Sequence, residues 1–183
     1  MTAPRVVLLT GRSDPARTGL PAAQAAFLAA VTPPSVVAIQ DGYPWSGTSA
    51  EEVRIPLAVA AWRNAMQWRA ARTGEARAEV AARLTALRGG PLAIVTGSCG
   101  LDLLECGWVD GACGLVVALG PVMRSRPSWL GVRLITVVGR WDALSRICHQ
   151  KPPDIRVPCG HMGYWNCPVT QSAVAGVLKA WAA

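Results

Sequence analysis

The sequence predicts an α/β domain, a mostly parallel sheet of about six strands with helices on both faces. Three observations predict it. Short apolar runs of four to seven residues alternate with helical stretches along the chain. Length is the second: 183 residues suit one well-buried domain, with no repeat or long linker to divide it. The third is that polar residues gather just past the ends of the apolar runs, where open parallel sheets hold their ligands.

The first strand is Arg5–Thr10, followed by the turn-like Gly11-Arg12-Ser13-Asp14-Pro15. An alanine-rich helix over Pro21–Val31 comes next, then a buried strand over Ser35–Gln40 closed by Asp41-Gly42-Tyr43-Pro44. Ser49 and Glu52 form a capping box that opens a long helical region. It runs to about Arg88, with a break expected at Gly74 and a stop at Gly89-Gly90. Strands follow at Leu92–Val95, Gly114–Leu119, Val132–Val138 and Ile155–Val157, and the last helix spans Val169–Ala182. The whole chain, 1–183, reads as a single domain without a separate lid.

Hydrophobic residues make up 51% of the chain and charged residues 16%, with a formal net charge of +7. That composition excludes a disordered chain. The basic charge is nearly all arginine and scattered, without the blocks or motifs of a nucleic-acid binder, so no nucleic-acid partner is expected. No apolar run reaches membrane-spanning length, and the short run Val6–Leu9 is no signal-peptide core. A cytoplasmic protein without membrane contact is the expectation. The six cysteines are then expected as free thiols.

The densest chemistry lies in Val95-Thr96-Gly97-Ser98-Cys99-Gly100. An apolar strand meets a tight turn of small residues and a helix begins at once, which pushes the central side chain out of the sheet. Centred on Ser98, the flanking positions are Thr96 and Gly100. Centred on Cys99 they are Gly97 and Leu101, and leucine is too large for the close contact. Ser98 is therefore the better nucleophile. Asp142 follows the strand Val132–Val138 and would alone read as a helix cap. His161 follows Ile155–Val157 in Cys159-Gly160-His161-Met162-Gly163, and alone would read as structural.

Together these residues occur in the order Ser, Asp, His, each at a strand's carboxyl end. With Val95–Gly100, Val138-Gly-Arg-Trp-Asp142 and Pro158-Cys-Gly-His-Met162, the chain resembles the α/β-hydrolase superfamily. The resemblance implies Ser98 as nucleophile, His161 as general base and acid, and Asp142 as the group that orients His161. It also implies an oxyanion hole from the N–H of Cys99 and an N–H of Gly11 or Arg12. Thr96 departs from the usual glycine of G-x-S-x-G, and the short span between the fourth and fifth strands leaves no room for a lid domain.

Trp45, Trp129, Trp141 and Trp165 fall on loops near the expected mouth and are candidate substrate contacts, two of them expected to line the pocket and the rest to pack in the core. Cys148-His149 and Cys159-x-His161 lack the paired spacing of a zinc site, and Leu9–Ser13 lacks the glycines of a phosphate loop, so neither metal nor cofactor is expected. The expected function is a serine hydrolase cleaving a small ester or acyl thioester through an acyl-enzyme, with a rate rising with pH as the histidine loses its proton. The basic surface suits an acidic carrier or a phosphate-bearing coenzyme as the acyl donor. The alternatives are acyl transfer or elimination with the same residues, or a non-catalytic interaction protein on this scaffold.

Overall fold

The computed structural model describes residues 2–11, 19–41, 59, 62–63, 65–66, 69, 73–148 and 151–183. Six strands form one sheet: β1 (Arg5–Thr10), β2 (Val37–Ile39), β3 (Leu92–Gly97), β4 (Leu115–Leu119), β5 (Arg133–Gly139) and β6 (Ile155–Val157). Their order is β2-β1-β3-β4-β5-β6 and every pairing is parallel. Leu8 pairs with Val95, Val95 with Val117, and Val117 with Ile135.

Alternation along each strand divides the apolar residues between two cores. Val6, Leu8, Val95, Val117 and Val137 point to one face. There they meet Phe27, Leu28 and Val31 of α1 (Ala22–Val31). On the same face lie Val174 and Leu178 of the carboxyl-terminal helix Pro168–Ala182. Val7, Leu9, Ile94 and Val116 point to the other face and meet Val80 and Leu84 of α2 (Gly74–Ala86). Leu101, Leu103 and Leu104 of α3 (Gly100–Cys106) complete that layer. Both layers are buried, each large side chain adding about 1.5–3 kcal/mol. This burial on two faces is why the strands read as continuous apolar runs.

In its described part the expected helical region from Ser49 to Arg88 is helical at residues 59, 62–63, 65–66 and 69, with a bend at Thr73. The break expected at Gly74 falls there: Gly74 opens α2 (Gly74–Ala86), with the Thr73 hydroxyl accepting the Ala76 N–H. The helix ends at Ala86, and Gly89 follows at φ +111°. β2 is also shorter than expected and half-exposed, because it is an edge strand covered on one side only. Among the described residues, no helix is long and apolar enough to cross a membrane.

The sheet order sets the site. β1 lies between β2 and β3, so the chain leaves β1 in one direction and later crosses back to its other side. That reversal opens a crevice at the carboxyl ends of β1 and β3. Gly11 follows β1 there and Ser98 follows β3.

Candidate active site

Ser98 stands at φ +51°, the left-handed region that a serine enters only under constraint. Two hydrogen bonds to neighbouring main chain hold it: its N–H donates to the Leu119 carbonyl at 3.0 Å, and its carbonyl accepts the Val122 N–H at 3.0 Å. The small residues of the turn are dictated by what surrounds them. A Cβ on Gly97 would lie 2.7 Å from the Trp165 ring. One on Gly100 would lie 2.4 Å from the Thr96 hydroxyl and 2.8 Å from the Leu9 carbonyl. Thr96 is fully buried beneath Gly100, so the departure from glycine at that position is accommodated by the missing side chain four residues on.

The Ser98 Oγ lies 3.1 Å from His161 Nε2, and His161 Nδ1 lies 2.9 Å from Asp142 Oδ2. The carboxylate selects the tautomer: Nδ1 carries the proton that Asp142 accepts, leaving Nε2 as acceptor for the serine hydroxyl. Asp142 is fully buried, whereas the His161 side chain is 22% exposed and open to a substrate. The three residues come from the ends of β3, β5 and β6, brought together only by the parallel order of those strands.

Two residues that sequence reasoning did not single out complete the carboxylate's surroundings. The Tyr164 hydroxyl donates to Asp142 Oδ2 at 2.7 Å and accepts the Gly139 N–H at 2.6 Å. The Ser145 hydroxyl donates to Oδ2 at 2.6 Å, and the Ser145 N–H donates to Oδ1 at 3.0 Å. Ser145 sits in α4 (Ala143–Cys148), so Asp142 caps that helix while it orients His161. The cap reading and the catalytic reading of Asp142 thus describe the same geometry. The spacing Asp-x-x-Ser carried the signal for Ser145; nothing local pointed to Tyr164. Burial alone would push the Asp142 carboxyl up, but the hydrogen bonds from His161, Ser145 and Tyr164 outweigh it and hold the group well below the usual carboxylate range.

A small cavity of about 110 Å³ opens over Ser98 and His161, lined also by Gly11, Cys99, Gln24 and Trp165. Gly11 and Cys99 thus border the same cavity as Ser98. The Cys99 side chain is buried, and burial pushes its thiol up to about 11, which disfavours the thiolate. Gln24, which sequence reasoning missed, has a buried Oε1 without a hydrogen-bond partner among the described residues.

The four tryptophans divide. Trp165 lines the cavity and packs edge-on to Phe27. Trp129 lies against the core instead, stacked on Trp108 with ring centroids 4.2 Å apart, which corrects its expected place at the mouth. Trp141 is exposed and borders a different cavity, on α4 and β6. Trp45 and Arg12 lie outside the described residues. Among the described residues, no two cysteines are joined in a disulfide.

No family model matches the chain, and no curated protein matches it. Solved structures do. One is a proposed hydrolase of the alpha/beta superfamily from Xanthomonas campestris, with a TM-score of 0.56 and 15% identity over 97% of this chain and 99% of that one. Another is a protein of unknown function from Agrobacterium tumefaciens, with a TM-score of 0.53 and 16% identity over 98% of this chain and 91% of that one. At such identities the likeness is one of fold.

Proposed function

We propose that this chain, which has the α/β-hydrolase fold, is a serine hydrolase that cleaves an ester or thioester through an acyl-enzyme. The observation that carries the proposal is the unbroken hydrogen-bonded series Ser98–His161–Asp142, with Ser98 held at positive φ at the sheet's switch point. A serine hydroxyl is a weak nucleophile until an adjacent imidazole takes its proton.

In the proposed reaction Ser98 Oγ bonds to the substrate carbonyl carbon as its proton passes to His161 Nε2. The carbonyl oxygen gains negative charge and is met by the N–H of Cys99 and one from the Gly11 loop, each such donor contributing about 2.7–4 kcal/mol. The C–O or C–S bond then breaks and His161 returns the proton to the leaving group. Water, deprotonated in turn by His161, releases the acid and restores Ser98. Asp142 remains ionised throughout, consistent with its depressed carboxyl. The small cavity favours a short acyl chain.

Active-site labelling with a fluorophosphonate probe tests the proposal. Wild type and Cys99→Ala are expected to label and Ser98→Ala to remain unlabelled. Folded wild-type protein that does not label would overturn it and favour a non-catalytic interaction protein on the same scaffold.

A further inference from the structure

Apart from the cavity over Ser98, the described residues border a larger, open one of about 610 Å³, within the range of small-molecule sites. Its walls carry four cations and no carboxylate: Arg140 from the turn after β5, Arg146 from α4, Lys151 from the following loop and Arg156 from β6. None of the four forms an ion pair among the described residues. Among the described residues, their side chains make one hydrogen bond, from Arg146 to the Arg140 carbonyl, a long contact at 3.5 Å.

The two nearby carboxylates are committed elsewhere. Asp142 is enclosed by His161, Tyr164 and Ser145. Asp154 accepts from the Thr136 N–H and hydroxyl, both at 2.7 Å, and faces Arg126 at 4.0 Å. Four like charges around one concavity repel one another, and an anionic ligand bound there would offset that repulsion.

The chemistry narrows that ligand. Three of the four cations are arginines, whose planar forks bind phosphate oxygens in pairs, and they approach from three separate elements. A charge of about +4 matches a diphosphate or triphosphate better than a single carboxylate. Trp141 and Pro153 supply an apolar wall beside the cations, suited to stacking a planar base. We propose that this pocket binds a nucleotide polyphosphate, with Arg140, Arg146, Lys151 and Arg156 on the phosphates and Trp141 against the base.

The pocket is distinct from the cavity over Ser98, and the inference stands whether or not Ser98 is a nucleophile. Two sources share this chemistry: a free nucleotide, or the nucleotide handle of a coenzyme-linked acyl substrate.

Isothermal titration calorimetry of the full chain with pyrophosphate and with ADP tests the proposal directly. Saturable one-to-one binding of both is expected, tighter for ADP and weakening as salt rises. The double variant Arg146→Ala/Arg156→Ala is expected to weaken ADP at least tenfold, and Trp141→Ala to weaken ADP while leaving pyrophosphate unchanged. Ser98→Ala is expected to bind as wild type does. These side chains are exposed, and unchanged thermal melting of each variant checks that it folds.

Absence of saturable binding by either probe overturns the proposal, as does unaltered affinity in the folded double variant. Acetyl coenzyme A that displaces ADP from Ser98→Ala and also protects His161 from modification identifies the substrate-handle source. Displacement without such protection identifies a free nucleotide. Both results uphold the pocket.

Discussion

The Tyr164 hydroxyl lies 2.7 Å from Asp142 Oδ2 and at the same time accepts the Gly139 N–H at 2.6 Å, so one buried phenol ties the end of β5 to the carboxylate behind His161. Burial, followed by the neighbouring Asp142, raises the phenol far above its ordinary value, and it stays a donor across the accessible pH range. Tyr164→Phe removes the donor and leaves the Gly139 N–H without its acceptor. A loss of about 1–3 kcal/mol in stability is expected from urea denaturation, with hydrolysis falling roughly tenfold as the carboxylate loses one of its anchors.

Asp142 also sets an acid limit. Its carboxyl is held below the unfolded-state value of about 3.9. The stabilisation is therefore complete above that value and is lost as pH falls through it towards the folded-state value. Asp154, depressed by its Thr136 hydrogen bonds despite partial burial, acts in the same direction. Denaturation curves at pH 7, 5, 4 and 3 are expected to show a shallower acid decline in Asp142→Asn than in wild type. An unchanged decline would exclude this role.

Gly120 adjoins the same group at φ +52°, and a Cβ there would lie 2.5 Å from the Tyr164 ring and 2.9 Å from Asp142 Oδ2. Gly111 stands at φ +70° with open space around it. Gly111→Ala therefore carries backbone strain only, about 1 kcal/mol. Gly120→Ala carries strain and collision together and is expected to cost about 3 kcal/mol or more, with fluorophosphonate labelling of Ser98 lost. Equal melting shifts for the two variants would contradict the packing described.

Gln24 brings an amide oxygen that is unpaired among the described residues to the wall of the Ser98 cavity. A substrate donor bound there would satisfy it. Gln24→Leu is expected to raise KM several-fold with kcat nearly unchanged, since such a contact is made equally in ground and transition states. Kinetics with short acyl esters carrying a hydrogen-bond donor, beside analogues without one, check this.

The thiols should separate by reactivity. Burial pushes Cys99 and Cys159 up to about 11 and Cys113 up to about 12. Cys167 is lowered: its slight burial opposes this, but hydrogen bonds from Thr170 and the start of the last helix prevail. Brief iodoacetamide treatment of native protein near pH 7.5 is expected to alkylate Cys167 ahead of Cys99, Cys113 and Cys159, as peptide mapping would show.

The sequence by itself determined the parallel α/β sheet, because strands buried on both faces must be apolar along their whole length and such runs are visible locally. It also placed Ser98 rather than Cys99 at the centre of the tight turn, since the steric demand of the turn falls on residues two positions away. The same local pattern brought Asp142 and His161 into view at strand ends. Only the tertiary structure decided what surrounds them. Tyr164 reaches Asp142 across 22 residues, Trp129 leaves the mouth to stack on Trp108, and Trp165 closes on Gly97. Arg140, Arg146, Lys151 and Arg156, carried by the turn, helix, loop and strand that follow β5, line one pocket because α4 packs against β5 and β6 pairs beside it. Backbone periodicity is written into neighbouring residues. Side-chain convergence depends on which strands lie side by side, and that is fixed by packing of the whole domain.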